Sequence, residues 1–237
     1  MQIQNFTYLG LLLITIAYPI YKTFDPRLRF HKKLVYILPA IIVTAIPFLI
    51  WDVIFEHHQI WSFNSDYTLG INILGLPLEE WLFFFIVPYA CFFIYEVVKY
   101  FSKVIKIPYI KRISTLIAIL LLTAGILFNH LDYTFVGFIL ASGVLFIIVF
   151  NQKLHSKLSG YFKGYIVSLL PFFLVNGILT KMPVVLYNNN ENLSFRIYTI
   201  PIEDMVYLLS LLFINFAIYE TIKQYAEKEK PTSENRN

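Results

Sequence analysis

Two pairs of neighbouring acids each begin a long apolar stretch of this chain. The motif PLEE (residues 77–80) precedes WLFFFIVPYACFFIYE, and the motif PIED (residues 201–204) precedes MVYLLSLLFINFAIYE. Ionisable groups at the edge of a lipid-facing segment cost free energy, so they are functional candidates by default. Because the pattern occurs twice, we predict that the catalytic groups are Glu79, Glu80, Glu203 and Asp204.

These acids suit proton transfer to a weak base. A carboxyl group in an apolar pocket beside other carboxyls stays protonated and can act as a general acid. In a membrane, the natural poor base is an alkene of a lipid-soluble molecule. Side chains expected to bind the substrate or support the acids are Asp52, Asn176, Trp51, Trp81, Phe83 and Tyr207. Aromatic rings among them would stabilise a cationic intermediate.

A plainer interpretation exists for the same residues. Pro77 and Pro201 fit the first position of a helix, where carboxylates gain from the positive end of the helix dipole. The four acids would then only cap helices, and the aromatic residues would form an interfacial belt. The doubling of the motif, with Asp52 and Asn176 at the same depth, favours the catalytic interpretation. Neighbouring helical residues point about 100° apart. One acid of each pair would then face a pocket while the other supports it, and the sequence does not say which.

Composition indicates an integral membrane protein. The 237 residues are 58% hydrophobic and 14% charged, with a mean hydropathy of +0.65. Soluble domains are about 45–50% apolar and about 25% charged. The net charge of +4 therefore reflects membrane topology, and no nucleic-acid partner is expected. The single cysteine, Cys91, lies in an apolar block, so no disulfide and no cysteine metal site is predicted. The adjacent pair His57–His58 lacks metal-ligand spacing and is assigned to a loop.

Seven apolar spans are predicted, at residues 6–22, 34–55, 78–98, 113–130, 133–150, 162–181 and 202–222. Seventeen of the 19 basic residues fall in alternate connections, at 22–33, 99–112, 153–163 and 223–236. Only Lys181 and Arg196 fall in the others. The positive-inside rule then places the N-terminus outside and the C-terminus in the cytoplasm, and we expect a bacterial cell membrane.

An offset of 124 residues aligns 31–96 with 155–220 without a gap. It pairs His, Pro and Glu residues in one register, which chance similarity between apolar segments would not do. The offset spans four helices, so the two copies have the same orientation, as in repeats of known transporter folds. We predict an all-α polytopic membrane protein. Residues 1–110 form one three-helix repeat, 111–131 a linker helix, 132–223 the second repeat, and 224–237 a charged, disordered tail.

Several segments together resemble the membrane-integral lycopene cyclases, a family found as two small subunits in some bacteria and as one fused chain elsewhere. They are PLEEWLFF, the step Trp51–Asp52, NGILT (residues 176–180) and RIYTIPIEDMVY (residues 196–207). The resemblance covers about residues 1–225, and the chain resembles the fused form. It departs at Tyr198–Thr199, where relatives often have a glycine.

The resemblance implies an intramolecular lyase or isomerase of carotenoid biosynthesis. An acid would protonate a terminal double bond of lycopene, the cation would close a six-membered ring, and a base would remove a proton to leave a β- or ε-ring. The route would lead from lycopene to γ-carotene and β-carotene. Donor and base would come from Glu79, Glu80, Glu203 and Asp204, with Asp52 and Asn176 as supports. No dinucleotide-binding glycine motif occurs in the sequence, so no cofactor and no flavin is expected.

Other functions stay open at this point. A small-solute transporter of 3+1+3 helices would need a polar path, but spans three and seven are nearly free of charge. A retinal-binding protein would need a lysine in the middle of span seven, and the nearest, Lys223, lies at its end. The substrate could also be another carotenoid. Expected partners are lycopene or a related carotenoid and membrane lipid. Association with other carotenoid enzymes or with a second copy is open.

Overall fold

The computed structural model describes residues 2–102 and 106–229 and confirms the all-helical membrane class. In this described part, seven helices are long and apolar enough to cross a membrane. They are α1 (Thr7–Lys22), α2 (Leu34–His57), α3 (Leu78–Phe101), α4 (Ile110–Leu127), α5 (Asp132–Phe150), α6 (Leu158–Lys181) and α7 (Ile202–Glu229). Each of the seven predicted spans corresponds to one of these helices. The orientation across the membrane stays a prediction.

Several helix ends differ from the predicted spans by a few residues; α4, for example, runs from Ile110 to Leu127 rather than from 113 to 130, and α3 ends at Phe101 rather than at 98. Helix α6 begins at Leu158 rather than 162, because Leu158 and Tyr161 are fully buried and their packing outweighs the low helix propensity of Gly160. Helix α7 continues to Glu229, so residues 224–229 of the predicted disordered tail are helical. Residues 230–237 lie outside the described part. His57 is the last residue of α2 rather than a loop residue.

The helices follow the order expected for two three-helix repeats, α1–α3 and α5–α7, with α4 between them and packed along α5. The repeats interlock, because α2 packs on α7 and α3 packs on α6. Gly164 permits the second contact, since a Cβ there would lie 2.9 Å from the Tyr95 ring. The residue boundaries between the repeats and the linker stay predictions.

Six short strands lie in the connections before α3 and α7. Strands β1 (Trp61–Phe63) and β4 (Val185–Tyr187) pair antiparallel, with Ser62 opposite Leu186. These two residues are 124 positions apart, so an approximate two-fold axis passes between them. Hairpins β2–β3 (Asn72–Ile73 and Leu76–Pro77) and β5–β6 (Arg196–Ile197 and Ile200–Pro201) are related by the same offset. Each hairpin leads directly into an acidic motif.

The two hairpin turns differ in the backbone conformation of their second residue. Leu74 and Gly75 both have positive φ, at 53° and 91°, as a tight two-residue turn requires. In the second hairpin Tyr198 has φ 60°, whereas the φ of Thr199 is not positive. The threonine at the place of a glycine is therefore accommodated by a different turn, and the strands still pair.

Candidate active site

The acidic motifs occupy the first turns of α3 and α7, and all four of their carboxylic acids are buried. Pro77 has extended backbone angles (φ −63°, ψ 149°) and fixes the point at which α3 begins. The exposed fractions are 0% for Glu79 and Glu203, 7% for Glu80 and 5% for Asp204. Acids that only capped helices in interfacial water would be exposed, so burial argues against that interpretation.

The first acid of each motif holds the connection that precedes its helix. Glu79 accepts a hydrogen bond from the backbone N–H of Leu69 at 2.7 Å. Glu203 accepts the equivalent bond from Leu193 at 2.8 Å and a second from the Thr134 hydroxyl at 2.7 Å. Both bonds reach back ten residues, in keeping with the repeat. Neither carboxyl lines the central cavity. Glu79 and Glu203 therefore hold the preceding connections in place rather than face the cavity.

The second acid of the first motif faces a small central cavity and lies beside another carboxyl group. Tyr8 of α1 donates a hydrogen bond to Glu80 at 2.5 Å. The Asp52 carboxyl from α2 lines the same cavity as Glu80, and Tyr207 of α7 donates a hydrogen bond to Asp52 at 3.1 Å. Two carboxyl groups that face one small buried cavity cannot both be ionised at low cost, so the pair is suited to share a proton.

The second acid of the second motif is surrounded by hydrogen-bond donors. Asp204 accepts from the Tyr133 hydroxyl at 2.7 Å, the Asn176 amide at 2.7 Å and the Tyr187 hydroxyl at 2.8 Å. Three donors satisfy the ionised form of a carboxyl group. Burial, together with the neighbouring Asp204 carboxyl, raises the pKa of Tyr187 well above its usual value, so this residue stays a neutral donor.

The two halves of the cavity follow the repeat but are chemically different. Each acid has a tyrosine from the first helix of its repeat and a polar side chain from the second. Three equivalent pairs differ in type, namely Asp52 and Asn176, Phe63 and Tyr187, and Phe83 and Tyr207. All six side chains line the same cavity of about 60 Å³. The asymmetry gives Glu80 a second acid as neighbour and Asp204 an amide.

The predicted site residues therefore separate into two groups. Glu80, Asp204, Asp52, Asn176, Phe83 and Tyr207 line one cavity, whereas Glu79, Glu203, Trp51 and Trp81 lie outside its lining. Trp51 packs on Tyr207, with ring centroids 4.8 Å apart, and Trp81 donates to the Ile73 carbonyl in the first hairpin. Whether the cavity residues act on a substrate stays a prediction.

Sequence reasoning missed Tyr8 and Tyr133, the donors from the first helix of each repeat. Available signals were the similar segments FTYLG and DYTFVG near the start of the two helices. Their tyrosines lie 125 rather than 124 residues apart, and the gapless alignment begins only at residue 31. A fixed offset therefore does not pair them.

A second, larger cavity adjoins the first. Its volume is about 560 Å³, and it lies between α1, α3 and α6. Phe83, Phe172, Asn176 and Leu179 line both cavities, so the larger one lies directly beside the cavity that contains the carboxyl groups. A buried acidic site joined to a long apolar cavity is suited to a lipid-soluble substrate.

Comparison with known proteins identifies the family to which the chain belongs. A family model described as Lycopene cyclase matches residues 5–98 and 129–222, two segments that begin 124 residues apart. The "Bifunctional lycopene cyclase/phytoene synthase" of Arthroderma gypseum is 36% identical over 97 residues, covering 41% of this chain and 15% of the relative. A protein of the same name from Neurospora crassa is 34% identical over 86 residues, covering 36% and 13%. The matches thus cover less than one sixth of these fungal proteins. A search of solved structures found no match.

The family model matches both repeats and most of the length of this chain. The chain therefore belongs to the lycopene cyclase family.

Proposed function

We propose that this protein is a lycopene cyclase that closes β-rings at the ψ-ends of lycopene by acid catalysis through a carbocation. The reaction leads from lycopene to γ-carotene and then to β-carotene, and is an isomerisation. One observation carries the proposal. A carboxyl pair, Asp52 and Glu80, and a carboxyl group with three donors, Asp204, line one buried cavity. Such a site contains both a proton source and a proton acceptor.

Glu80 and Asp52 together are the proton source. The described residues that line the cavity include no basic side chain, so no lysine, arginine or histidine there would take up the proton that the pair shares. Tyr8 and Tyr207 donate to the pair and hold its geometry, so the charge left after proton release is stabilised. The proton adds to the CH carbon of the terminal double bond, which leaves a tertiary cation at the neighbouring carbon, the one that bears two methyl groups.

Asp204 is the final base. Its three donors favour the carboxylate, whose charge also stabilises the cation across the cavity. The next double bond attacks the cation to form the ring bond, and the positive charge moves to the ring. Loss of a ring proton to Asp204 leaves the new double bond. One proton enters the substrate and one leaves, so atoms and electrons balance.

Aromatic rings line the space in which the charge develops. Trp61, Phe83 and Tyr207 line the cavity, and the faces of aromatic rings attract cations. They also exclude water, which would otherwise capture the cation as an alcohol. The same three residues pack against neighbouring rings, for example Trp61 on Phe55 at 4.9 Å between centroids. Their positions are therefore fixed before the substrate binds.

The test is expression in a lycopene-accumulating bacterial host, with chromatography of the extracted pigments. The wild-type protein should convert lycopene to cyclic carotenes. Asp204→Asn and Glu80→Gln should each reduce conversion by about a hundredfold or more, as expected when a general acid or base is lost. The matched control is Glu227→Gln, a substitution of an exposed acid in α7. It should convert lycopene like the wild type.

Other outcomes would contradict the proposal. Unchanged lycopene with folded wild-type protein in the membrane would point to another carotenoid or to transport. Full activity of Asp204→Asn would remove Asp204 from the reaction. A tertiary alcohol as the main product of the wild type would show that water, not a protein carboxylate, ends the reaction.

A further inference from the structure

The cavity between α1, α3 and α6 is almost entirely apolar. Its walls are α1 and α6 and its floor is α3, and the polar side chains among its lining are few, including Thr15, Ser168 and Asn176. A volume of about 560 Å³ falls within the range of about 300–1,000 Å³ that small-molecule sites occupy. We call it the α1/α6 groove.

The groove opens towards the lipid. Ile14 on one wall is 74% exposed, and Leu174 and Val167 on the other are 66% and 44% exposed. These positions lie in membrane-spanning helices, so their exposed surface faces hydrocarbon in the membrane. A molecule dissolved in the bilayer can therefore enter from the side without crossing a polar surface.

The groove is long enough to hold most of an extended chain. Its floor runs from Phe83 to Val98, which corresponds to about 22 Å along the helix axis at 1.5 Å per residue. A C40 carotenoid is about as long as the ~30 Å hydrocarbon core. The groove thus accommodates most of such a molecule, and the remaining end reaches beyond Phe83.

The end of the groove at Phe83 meets the carboxyl cavity. Four lining residues are common to both cavities, and Asn176 donates to Asp204 from this junction. We propose that the α1/α6 groove holds the unreacted linear arm of the carotenoid and delivers one ψ-end at a time past Phe83 to Glu80 and Asp204. This inference rests on the proposed function and adds the path and the direction of substrate entry.

The internal repeat supplies matched controls for this proposal. Val167 on α6 lines the groove, and its repeat equivalent Val43 on α2 is 52% exposed but is not part of the groove lining. Val167→Trp should lower the initial rate of lycopene conversion by about tenfold, because the added ring fills the path. Val43→Trp adds the same ring to the other flank and should change the rate by less than about twofold.

A second measurement detects occupancy without turnover. Val167→Cys and Val43→Cys are reconstituted separately in phosphatidylcholine vesicles with and without lycopene, then treated with a hydrophobic maleimide. Labelled peptides are quantified by mass spectrometry, which separates the new cysteine from Cys91, the single native one. Lycopene should slow labelling at position 167 by about fivefold or more, as expected when most sites are filled. Labelling at position 43 should not change.

The outcomes distinguish this inference from the proposed function. Equal slowing at both positions, or none at 167, overturns the groove even if the wild type cyclises lycopene. Unchanged labelling at position 167 would mean that lipid chains, not lycopene, occupy the groove. Protection at 167 alone, in a protein that does not cyclise lycopene, supports the groove and rejects the proposed reaction. Equal loss of activity in the two tryptophan variants also overturns the groove.

Discussion

Two neighbouring carboxyl groups serve different purposes in each acidic motif because adjacent helical residues point about 100° apart. The first side chain turns back towards the preceding connection, where Leu69 and Leu193 offer backbone N–H groups. The second turns into the bundle and meets the side chains of the other helices. One turn of helix therefore holds both the acid that fixes the preceding connection and the acid that faces the cavity.

Tyr187 offers a test of the donors around Asp204. Tyr187→Phe removes one of three hydrogen bonds to the carboxylate, and a bond to a charged group contributes about 1.5–3 kcal/mol. We expect the initial rate of conversion to fall by about tenfold or more. Because the pKa of Tyr187 is raised well above its usual value, the wild-type rate should show no loss from ionisation of this residue up to pH 10.

The equivalent position in the first repeat shows that a phenylalanine fits at such a place. Phe63 has the side chain that the variant would introduce, and it lines the same cavity. Rates in isolated membranes from pH 6 to 10 would be compared for the wild type and Tyr187→Phe. A variant with the wild-type rate, or a rate that falls near pH 10 in the wild type but not in Tyr187→Phe, would contradict the assignment.

The site could be predicted from the sequence only in part. The repeat brought the acids, Asp52 and Asn176 to one end of the bundle, because equal offsets in parallel repeats give equal depths. The sequence could not say that Glu80 rather than Glu79 faces the cavity, because that depends on the rotation of α3 about its axis. Trp81 is close to the acids in sequence but points to the first hairpin, for the same reason.

At the scale of the helices, a second symmetrical cluster joins α3 to α7 at the end opposite the cavity. Tyr95 of α3 donates to Glu220 of α7 at 3.0 Å, and Tyr219 of α7 donates to Glu96 of α3 at 2.9 Å. Lysines complete the cluster, with Lys99 contacting both carboxylates. Each repeat thus supplies the partner of the other's buried acid, which fixes the register of the two long helices.

This cluster should contribute to stability. Glu220→Gln removes the charge that pairs with Lys99 at 2.8 Å and Lys157 at 3.5 Å, while the acid is only 2% exposed. Breaking a buried pair costs about 3–5 kcal/mol, and the partial exposure of the lysines reduces this to about 1–3 kcal/mol. The measurement is the fraction of protein that stays folded after heating in detergent, determined by size-exclusion chromatography. This fraction should fall at a lower temperature for Glu220→Gln than for the wild type.

Glu227→Gln serves again as the control, because its 3.9 Å pair with Lys223 is exposed and contributes about 0.5 kcal/mol or less. The double variant Glu96→Gln/Glu220→Gln should lose less than the two single losses combined, since both acids share Lys99. Equal midpoints for Glu220→Gln and Glu227→Gln would show that the cluster does not stabilise the bundle.

Helix positions could be predicted well, and helix ends less well. Length and hydropathy alone define a membrane span, so seven were found. The end of α7 could not be predicted from hydropathy, because residues 223–229 are polar but include good helix formers, among them Ala226 and Lys228. The strand pairing of β1 with β4 brings together segments over 120 residues apart, and three-residue strands carry too little pattern to predict.

At the scale of the whole molecule, the two repeats build one site. Helix α2 of the first repeat packs on α7 of the second, and this contact carries the hydrogen bond from Tyr207 to Asp52. Glu80 and Asp204 line the same cavity, so each repeat contributes one of the two opposed acids. We therefore expect such a site to process one end of the proposed symmetrical substrate at a time.

One site for two ends implies that the monocyclic product leaves before the second ring forms. Isotope-labelled lycopene supplied together with a tenfold excess of unlabelled γ-carotene should then give β-carotene with almost no label at early times, because the little labelled γ-carotene that is released mixes with the unlabelled excess. Two independent sites, one for each acidic motif, would close both rings without release, so labelled β-carotene would form from the start. They would also let Glu80→Gln and Asp204→Asn each form one ring. Because each acid is needed for every ring in a shared cavity, we expect neither variant to accumulate γ-carotene.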